Sequence, residues 1–413
     1  MVECFARDEP PTDKFRGIPG LYIKTDDGGV FATETPDPIT PGEFESISLG
    51  LDAANIPYDD YWEYMHKVYD ARQLAVMKNE DLVQTIRLIT SSHCPIGCKF
   101  CSSTRFLAEA AGDKQKVLRL SPQQMLLLVK QAVRSHPRVT AIFFDDDDFL
   151  QDRDRALEFC ALVHAEIALR GLRFLCLSRT DNVDAELLRV MSDVGFRLII
   201  YGVESFSEQL LIDADKKVRS AHPAEQARWA VVSALSAGIT PLMNLILFYP
   251  SAREADVVAT VDSAVELVRE GARIAVYPYV EAYPGSWLLM EAPEVKEKHF
   301  AIDGIKFRIP WVVVPKDPAV AFLGRRALQL KPRILSDIKR RCGWLGDVCN
   351  PIDSLALFLA VYDLLGRSTR SIWDAIETVV GSVTYPLADH PCGPPVSRRK
   401  LASVARGGRV LAA

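Results

Sequence analysis

From Thr85 to Tyr279 the chain alternates between two hydrophobic patterns. Short runs rich in Val, Ile, Leu and Phe recur at Thr85 to Thr90, Val139 to Asp145, Arg173 to Ser178, Arg197 to Gly202, Ile239 to Phe248 and Ala272 to Tyr279. Between them lie longer stretches with apolar residues three and four apart: Pro122 to Ser135, Arg153 to Arg170, Ala185 to Val194, Ala224 to Ala237 and Glu254 to Arg269. The first pattern predicts buried strands and the second amphipathic helices. Regular alternation of the two predicts a parallel sheet with right-handed crossovers. Six βα units fall two short of a closed ring, so the expected fold class is α/β, a partial (β/α)6 TIM-like barrel. Chemistry in such a sheet is expected where the loops leave the C-terminal ends of the strands.

The flanks read differently. Leu21 to Lys24 and Val30 to Thr33 surround Asp26-Asp-Gly-Gly29 and predict a hairpin. Pro36 to Pro41 predicts a loop and Tyr61 to Leu82 a helix. After Pro284-Gly285 the pattern loosens, with a strand expected at Trp311 to Val314 and helices at Ala319 to Arg341 and Ile352 to Leu365. The expected organisation is an N-terminal extension over 1–84, the barrel over 85–288, a mostly helical region over 289–384 and a Pro-rich, basic tail over 385–413, expected to be mobile.

Composition narrows the function. Of 413 residues 48% are hydrophobic and 25% charged, ordinary values that exclude wholesale disorder. A net charge of −5 gives no general attraction to nucleic acid or anionic lipid, which leaves a small-molecule substrate or a protein partner. No uncharged run reaches the ~18 residues that cross a bilayer, and the opening residues lack a signal-peptide pattern, so a cytoplasmic location is expected. The nine cysteines are an odd number, with three crowded into eight residues, and do not read as a disulfide framework.

Those three are Cys94-Pro-Ile-Gly-Cys98-Lys-Phe-Cys101, directly after the first strand. Cysteine thiolates are the usual ligands of iron–sulfur clusters, and three of them hold a four-iron cube with one iron left open. A zinc site completed by His93, a redox dithiol and three structural cysteines are the alternatives. Cys342 and Cys349 are the other close pair, with no further partners to suggest a second cluster.

The C-x3-C-x2-C spacing, with Phe100 before the third cysteine, resembles the radical S-adenosylmethionine (SAM) enzymes. Further segments resemble the subclass allied to cobalamin-dependent members: Phe144-Asp-Asp-Asp-Asp-Phe149, Ser178-Arg179-Thr-Asp181, Tyr201-Gly-Val-Glu204-Ser205 and Tyr283-Pro-Gly-Ser-Trp-Leu288. The resemblance implies that Cys94, Cys98 and Cys101 bind a [4Fe-4S] cluster and that Phe100 lies by the adenine of SAM. It further implies that Asp146 and Asp147 meet the SAM amino group, that Ser178 and Arg179 lie at the SAM carboxylate, and that Glu204 binds the ribose. Lys216 or Lys217 falls near a downstream lysine of the same motif. Phe248-Tyr-Pro-Ser-Ala-Arg-Glu254 departs from the Gly-x-Pro-Gly-Glu-Thr turn of relatives. Asn244, Tyr277, Tyr279 and Glu281 on the late strands are substrate candidates, and Cys176 is a hydrogen-atom donor if it faces inward.

Gly17-Ile-Pro-Gly-Leu-Tyr before the hairpin resembles the piece that joins a cobalamin domain to the radical domain. Cobalamin itself is not expected, because His66 has Tyr64 and Tyr69 where a D-x-H-x-x-G ligand motif has Asp and Gly. The resemblance thus implies reductive cleavage of SAM and hydrogen abstraction from a small molecule in biosynthetic tailoring, with electrons from a flavodoxin or ferredoxin-like donor. The alternatives are a cobalamin-dependent radical SAM methyltransferase, with cobalamin from the bulk or a partner subunit, and an iron–sulfur or zinc module in electron transfer or regulation.

Overall fold

The computed structural model describes residues 11–25, 27–51, 53–68, 84–103, 116–281, 283, 286–292, 294–302, 305–342 and 350–381. Its centre is a six-stranded parallel sheet of β3 (Thr85–Leu88), β4 (Ala141–Phe144), β5 (Arg173–Arg179), β6 (Phe196–Glu204), β7 (Thr240–Phe248) and β8 (Arg273–Tyr279). The spatial order follows the sequence order, which leaves β3 and β8 as the edges. All six strands stand where the hydrophobic runs place them. The first is shorter than expected, because past Leu88 the backbone of Thr90 and Ser91 bonds to Asp146 instead of to a neighbouring strand.

The intervening helices Pro122–Ser135, Arg153–Ala165, Ala185–Asp193, Pro223–Ser236 and Glu254–Arg269 match the 3.6-residue pattern. Local chemistry sets their starts. Ser121 and Gln124 bond reciprocally to each other's backbone amides as a capping box, and Asp152 and Asp184 cap the next two helices. Ile142, Phe144, Phe174, Cys176, Ile199 and Tyr201 form the sheet's helix-facing core, where Phe144, Phe159 and Phe174 meet face to face and edge to face. Ala141, Phe143, Leu175 and Leu198 alternate onto the opposite face and form a separate small cluster. Cys176 is therefore buried against the helices and does not point to the sheet's other face.

Both edges of the sheet are covered, which blocks edge-to-edge association. At β3 the buried Trp62, on the helix Tyr58–Val68, donates from its indole nitrogen to the Thr85 carbonyl, 3.4 Å away. At β8 the Ser354 hydroxyl, on the helix Asn350–Leu364, accepts from the Val276 amide at 3.1 Å.

The N-terminal hairpin is present as β1 (Tyr22–Lys24) and β2 (Val30–Ala32). An unanticipated helix, Pro41–Leu49, follows it, with its own Thr40–Glu43 capping box. The C-terminal region holds the helices Pro318–Cys342, Asn350–Leu364 and Arg370–Gly381. Where one strand was expected there is an antiparallel pair, β9 (Val295–Ile302) and β10 (Ile305–Val313). Its base is fastened beside β7 and β8, with Val313 N bonded to Val280 O and Lys316 N to Pro250 O. The rest of the Tyr61 to Leu82 helix beyond residue 68, Cys349 and the 385–413 tail lie outside the described residues. No helix among the described residues is long and apolar enough to cross a membrane.

Candidate active site

Because all six strands run the same way, the loops after β3, β4, β5, β6 and β7 meet at one end of the sheet. The cysteine loop leaves β3 there, and Asp146 fixes its first residues. That carboxylate is 1% exposed and accepts from the amides of Thr90 and Ser91 and from the Thr90 hydroxyl. Burial raises its pKa, against the pull of these bonds and of Arg155. Arg155 reaches up from the helix Arg153–Ala165 to the carbonyls of Thr90 and Leu120 and locks the same turn. Asp147 faces solvent and braces the other part of the loop, accepting from the Cys94 amide at 3.1 Å and the Ser103 hydroxyl at 2.6 Å. Both carboxylates thus hold the cysteine loop through its backbone and hydroxyls.

Within the loop, Gly97 takes φ +69°, a left-handed conformation in which a side chain is strained, and Cys101 N closes a turn onto Cys98 O. All three cysteines are free thiols; Cys98 is buried and the others are half-buried. Burial pushes the Cys94 thiol up to about 11 and raises Cys101 too. Among the described residues no three His, Cys, Asp or Glu side chains converge on a single-ion position. In a four-iron cube each thiolate takes a separate iron, and three thiols on one loop leave the fourth iron open. His93 is engaged with the Ser92 hydroxyl. The donor set fits the cube.

Arg179 ends β5 and is buried with every N–H group in use. Its Nε and Nη2 grip the Asp181 carboxylate at 3.0 and 3.3 Å; Nη1 reaches Lys216 O at 3.1 Å and Cys98 Sγ at 3.5 Å; Nη2 also reaches Lys217 O at 2.9 Å. The two-pronged geometry expected for an external carboxylate is therefore occupied by Asp181. Ser178, one residue earlier, donates to Asp148 at 3.1 Å. Asp148 also accepts from Asn182 at 2.6 Å, and burial pushes its carboxyl up to about 6.

Glu204 ends β6 at a bulge against β7 and has φ +66°, a left-handed backbone conformation. Its Oε1 pairs with Lys216 Nζ at 3.0 Å. A Cβ on Gly202 would lie 2.8 Å from that carboxylate oxygen, so a side chain there would displace the Glu204 carboxylate. Lys216 sits between Asp215 at φ +47° and Lys217 at φ +58°, a turn that presents its carbonyl to Arg179 and Cys98. Its ammonium lies 5.9 Å from the Phe100 ring centre. Of the two lysines at the motif position, Lys216 is in the site, whereas Lys217 is half-exposed and pairs with Asp215.

Two further elements close over the loop. Tyr249, after β7, meets Phe100 edge to face at 6.4 Å. Leu288 N bonds to Lys99 O at 3.0 Å, and Lys99 pairs with Glu291 at 2.6 Å. Pro284 and Gly285 of the preceding turn lie outside the described residues.

The substrate candidates divide. Asn244 is in register with Gly202 and Ala275, on the face opposite the helices, and Tyr277, 46% exposed, follows two residues later on β8. Tyr279 packs on Phe248 and brings its hydroxyl against Gly324 of the helix Pro318–Cys342. Glu281 accepts from the Tyr283 hydroxyl. Residues the sequence reading did not single out are Thr90, Arg155, Asp148, Asn182 and Tyr249. The acidic run is the visible signal for Asp148 and the Phe248-Tyr-Pro-Ser turn for the place of Tyr249; Thr90, Arg155 and Asn182 have none.

Residues 88–264 match the model of the radical SAM superfamily. A chain from Pyrococcus horikoshii named uncharacterized methyltransferase PH0819 is 25% identical over 202 residues, 49% of this chain and 40% of that one. Among solved structures, the radical SAM methyltransferase TsrM of Kitasatospora setae, with tryptophan and a SAM analogue, aligns over 89% of this chain and 72% of its own at TM-score 0.57 and 15% identity. The cobalamin-dependent radical SAM enzyme OxsB, with aqua-cobalamin, aligns over 89% and 60% at TM-score 0.55 and 13% identity. This chain thus spans 40% of PH0819 and 60% of OxsB, less than two thirds of each.

Proposed function

We propose that the protein reductively cleaves SAM and abstracts hydrogen from a small molecule, in biosynthetic tailoring, a reading supported by the match of residues 88–264 to the radical SAM superfamily model. The supporting observation is the contact chain Cys98–Arg179–Lys216–Glu204, which draws the loops after β3, β5 and β6 together. In this reading Cys94, Cys98 and Cys101 hold a [4Fe-4S] cluster. When bound, the cluster and SAM supply one-electron reduction and a 5′-deoxyadenosyl radical. The chain's own residues orient and shield. Asp146, Asp147 and Arg155 fix the cysteine loop; Arg179 places a positive charge beside Cys98; Glu204 takes the ribose hydroxyls, its Oε1 already held by Lys216; Phe100 flanks the adenine. Asn244 and Tyr277 face the substrate. A flavodoxin or ferredoxin-like protein delivers the electron.

The likeness to PH0819, named a methyltransferase, favours a second reading, methyl transfer, and the likeness in fold to the cobalamin-dependent OxsB suggests cobalamin as its carrier. Anaerobic incubation with methyl-labelled SAM and reductant, with and without hydroxocobalamin, separates the two. Hydrogen abstraction gives 5′-deoxyadenosine and labelled methionine without cobalamin. Methyl transfer gives S-adenosylhomocysteine and a labelled product only when cobalamin is present.

A further inference from the structure

We infer that Tyr249 is a positioning residue for the nucleoside of SAM, its hydroxyl a hydrogen-bond donor to a ring nitrogen of the adenine. The inference rests on the SAM-binding reading above and assigns a contact at the turn where this sequence departs from its relatives.

Tyr249 is 3% exposed, and its hydroxyl oxygen is buried with no hydrogen-bond partner in the protein. Buried hydroxyls are nearly always paired, and leaving one unpaired is unfavourable. The ring stands at 86° to Phe100, and Phe100 in turn lies beside the Lys216–Glu204 pair. An edge-to-face corner of this kind accepts a flat heteroaromatic ring against one wall, with in-plane nitrogens directed at the other. Burial raises the Tyr249 pKa, with Glu204 and Cys98 among the charges adding to it, so the hydroxyl keeps its proton and donates.

The turn is fixed from both sides. Ala252 N bonds to Tyr249 O at 2.9 Å, and Lys316 N to Pro250 O at 2.8 Å. Two residues on, Ser251 Oγ is also buried without a partner, a second orphan in the same turn. Tyr201 makes the contrast. Its hydroxyl is orphaned too, but it lies within the sheet, on the face that carries Cys176 and Ile199, and not on a loop beyond a strand end.

Tyr249→Phe keeps the ring and deletes only the oxygen. The test measures binding of S-adenosylhomocysteine to cluster-loaded protein by calorimetry, with no turnover needed, alongside iron content and the ligand-free unfolding midpoint. We expect affinity to fall about three- to tenfold, the range for one hydrogen bond. Iron content should hold, and the ligand-free midpoint should stay level or rise, because an unpaired polar atom has been removed. Among S-adenosylhomocysteine analogues carrying 1-, 3- or 7-deazaadenine, one should bind wild type weaker by the same factor and bind Tyr249→Phe no weaker than the parent does. Unchanged affinity in Tyr249→Phe with full iron overturns the assignment, as does a lowered ligand-free midpoint, which marks a structural hydroxyl. Cluster-loaded wild type that binds no S-adenosylhomocysteine and no SAM overturns the SAM reading itself.

Discussion

The guanidinium of Arg179 reaches the sulfur of Cys98, Nη1 to Sγ at 3.5 Å, and both groups share the carbonyl of Lys216. The end of β5, the cysteine loop and the loop carrying Lys216 are thereby one unit. Replacing Arg179 should act on all three.

Arg179→Ala removes the two-pronged partner of Asp181, whose side chain is 5% exposed, and leaves it the Arg219 amide and guanidinium. Burial alone would raise the Asp181 pKa, but the Arg179 charge and the Arg219 amide hold it below the usual value. Breaking a buried pair of this kind costs about 3–5 kcal/mol. Denaturant unfolding should show that loss, and Arg179→Ala with Asp181→Asn should recover part of it. A stability equal to wild type for Arg179→Ala would mean that the pair is solvated.

Glu204 holds a left-handed backbone conformation and the Lys216 ammonium together. Glu204→Ala and Glu204→Gly delete the same carboxylate, so their difference reports the backbone alone. The Gly variant should be the more stable by about 1 kcal/mol. Both should weaken SAM binding about tenfold or more, as expected for a lost charge-assisted bond. Equal stability would place the strain elsewhere.

Asp146 acts through the start of the cysteine loop. Asp146→Ala leaves the Thr90 and Ser91 amides without their acceptor and should cost about 1–3 kcal/mol. The iron bound after anaerobic reconstitution should fall, while Asp147→Asn, at an exposed position, should retain it. Full iron in Asp146→Ala would remove that role.

Much of this was legible in the sequence, and the reasons differ by element. The sheet was plain because its strands are short runs rich in Val, Ile, Leu and Phe, bounded by helices of clear period. The cysteine, Arg179 and Glu204 positions were legible from spacing and from their places at strand ends. What Arg179 touches was not, because Asp181 lies two residues away while Lys216 and Cys98 lie 37 and 81 residues away. Pairing at that separation is a property of the folded sheet. The end of β10 reads as a strand at Trp311 to Val314, but β9 and the start of β10 do not, because Lys296, Glu297, Lys298 and Arg308 interrupt their apolar alternation and Pro310 sits inside the second strand. Orphaned hydroxyls such as that of Tyr249 have no sequence signal at all.

Asp148 gives a pH signature. Burial lifts its carboxyl from the ordinary 3.8 to about 6, so between those values the folded state binds more protons than the unfolded one. Its contribution to stability is therefore fully present below about pH 4 and is lost as pH rises through about 6. Subtracting the Asp148→Asn profile from wild type should leave a declining difference across that window. A flat difference would show a carboxyl with its ordinary pKa.

The central claim is that Cys94, Cys98 and Cys101 build a cluster that cleaves SAM. The direct measurement is 5′-deoxyadenosine formed from SAM under anaerobic, reducing conditions, quantified by mass spectrometry for wild type and for Ala at each cysteine. The account predicts about four irons and four sulfides per chain and 5′-deoxyadenosine with wild type, and loss of both in each variant. Stoichiometric zinc without iron, or 5′-deoxyadenosine undiminished in the variants, would contradict it.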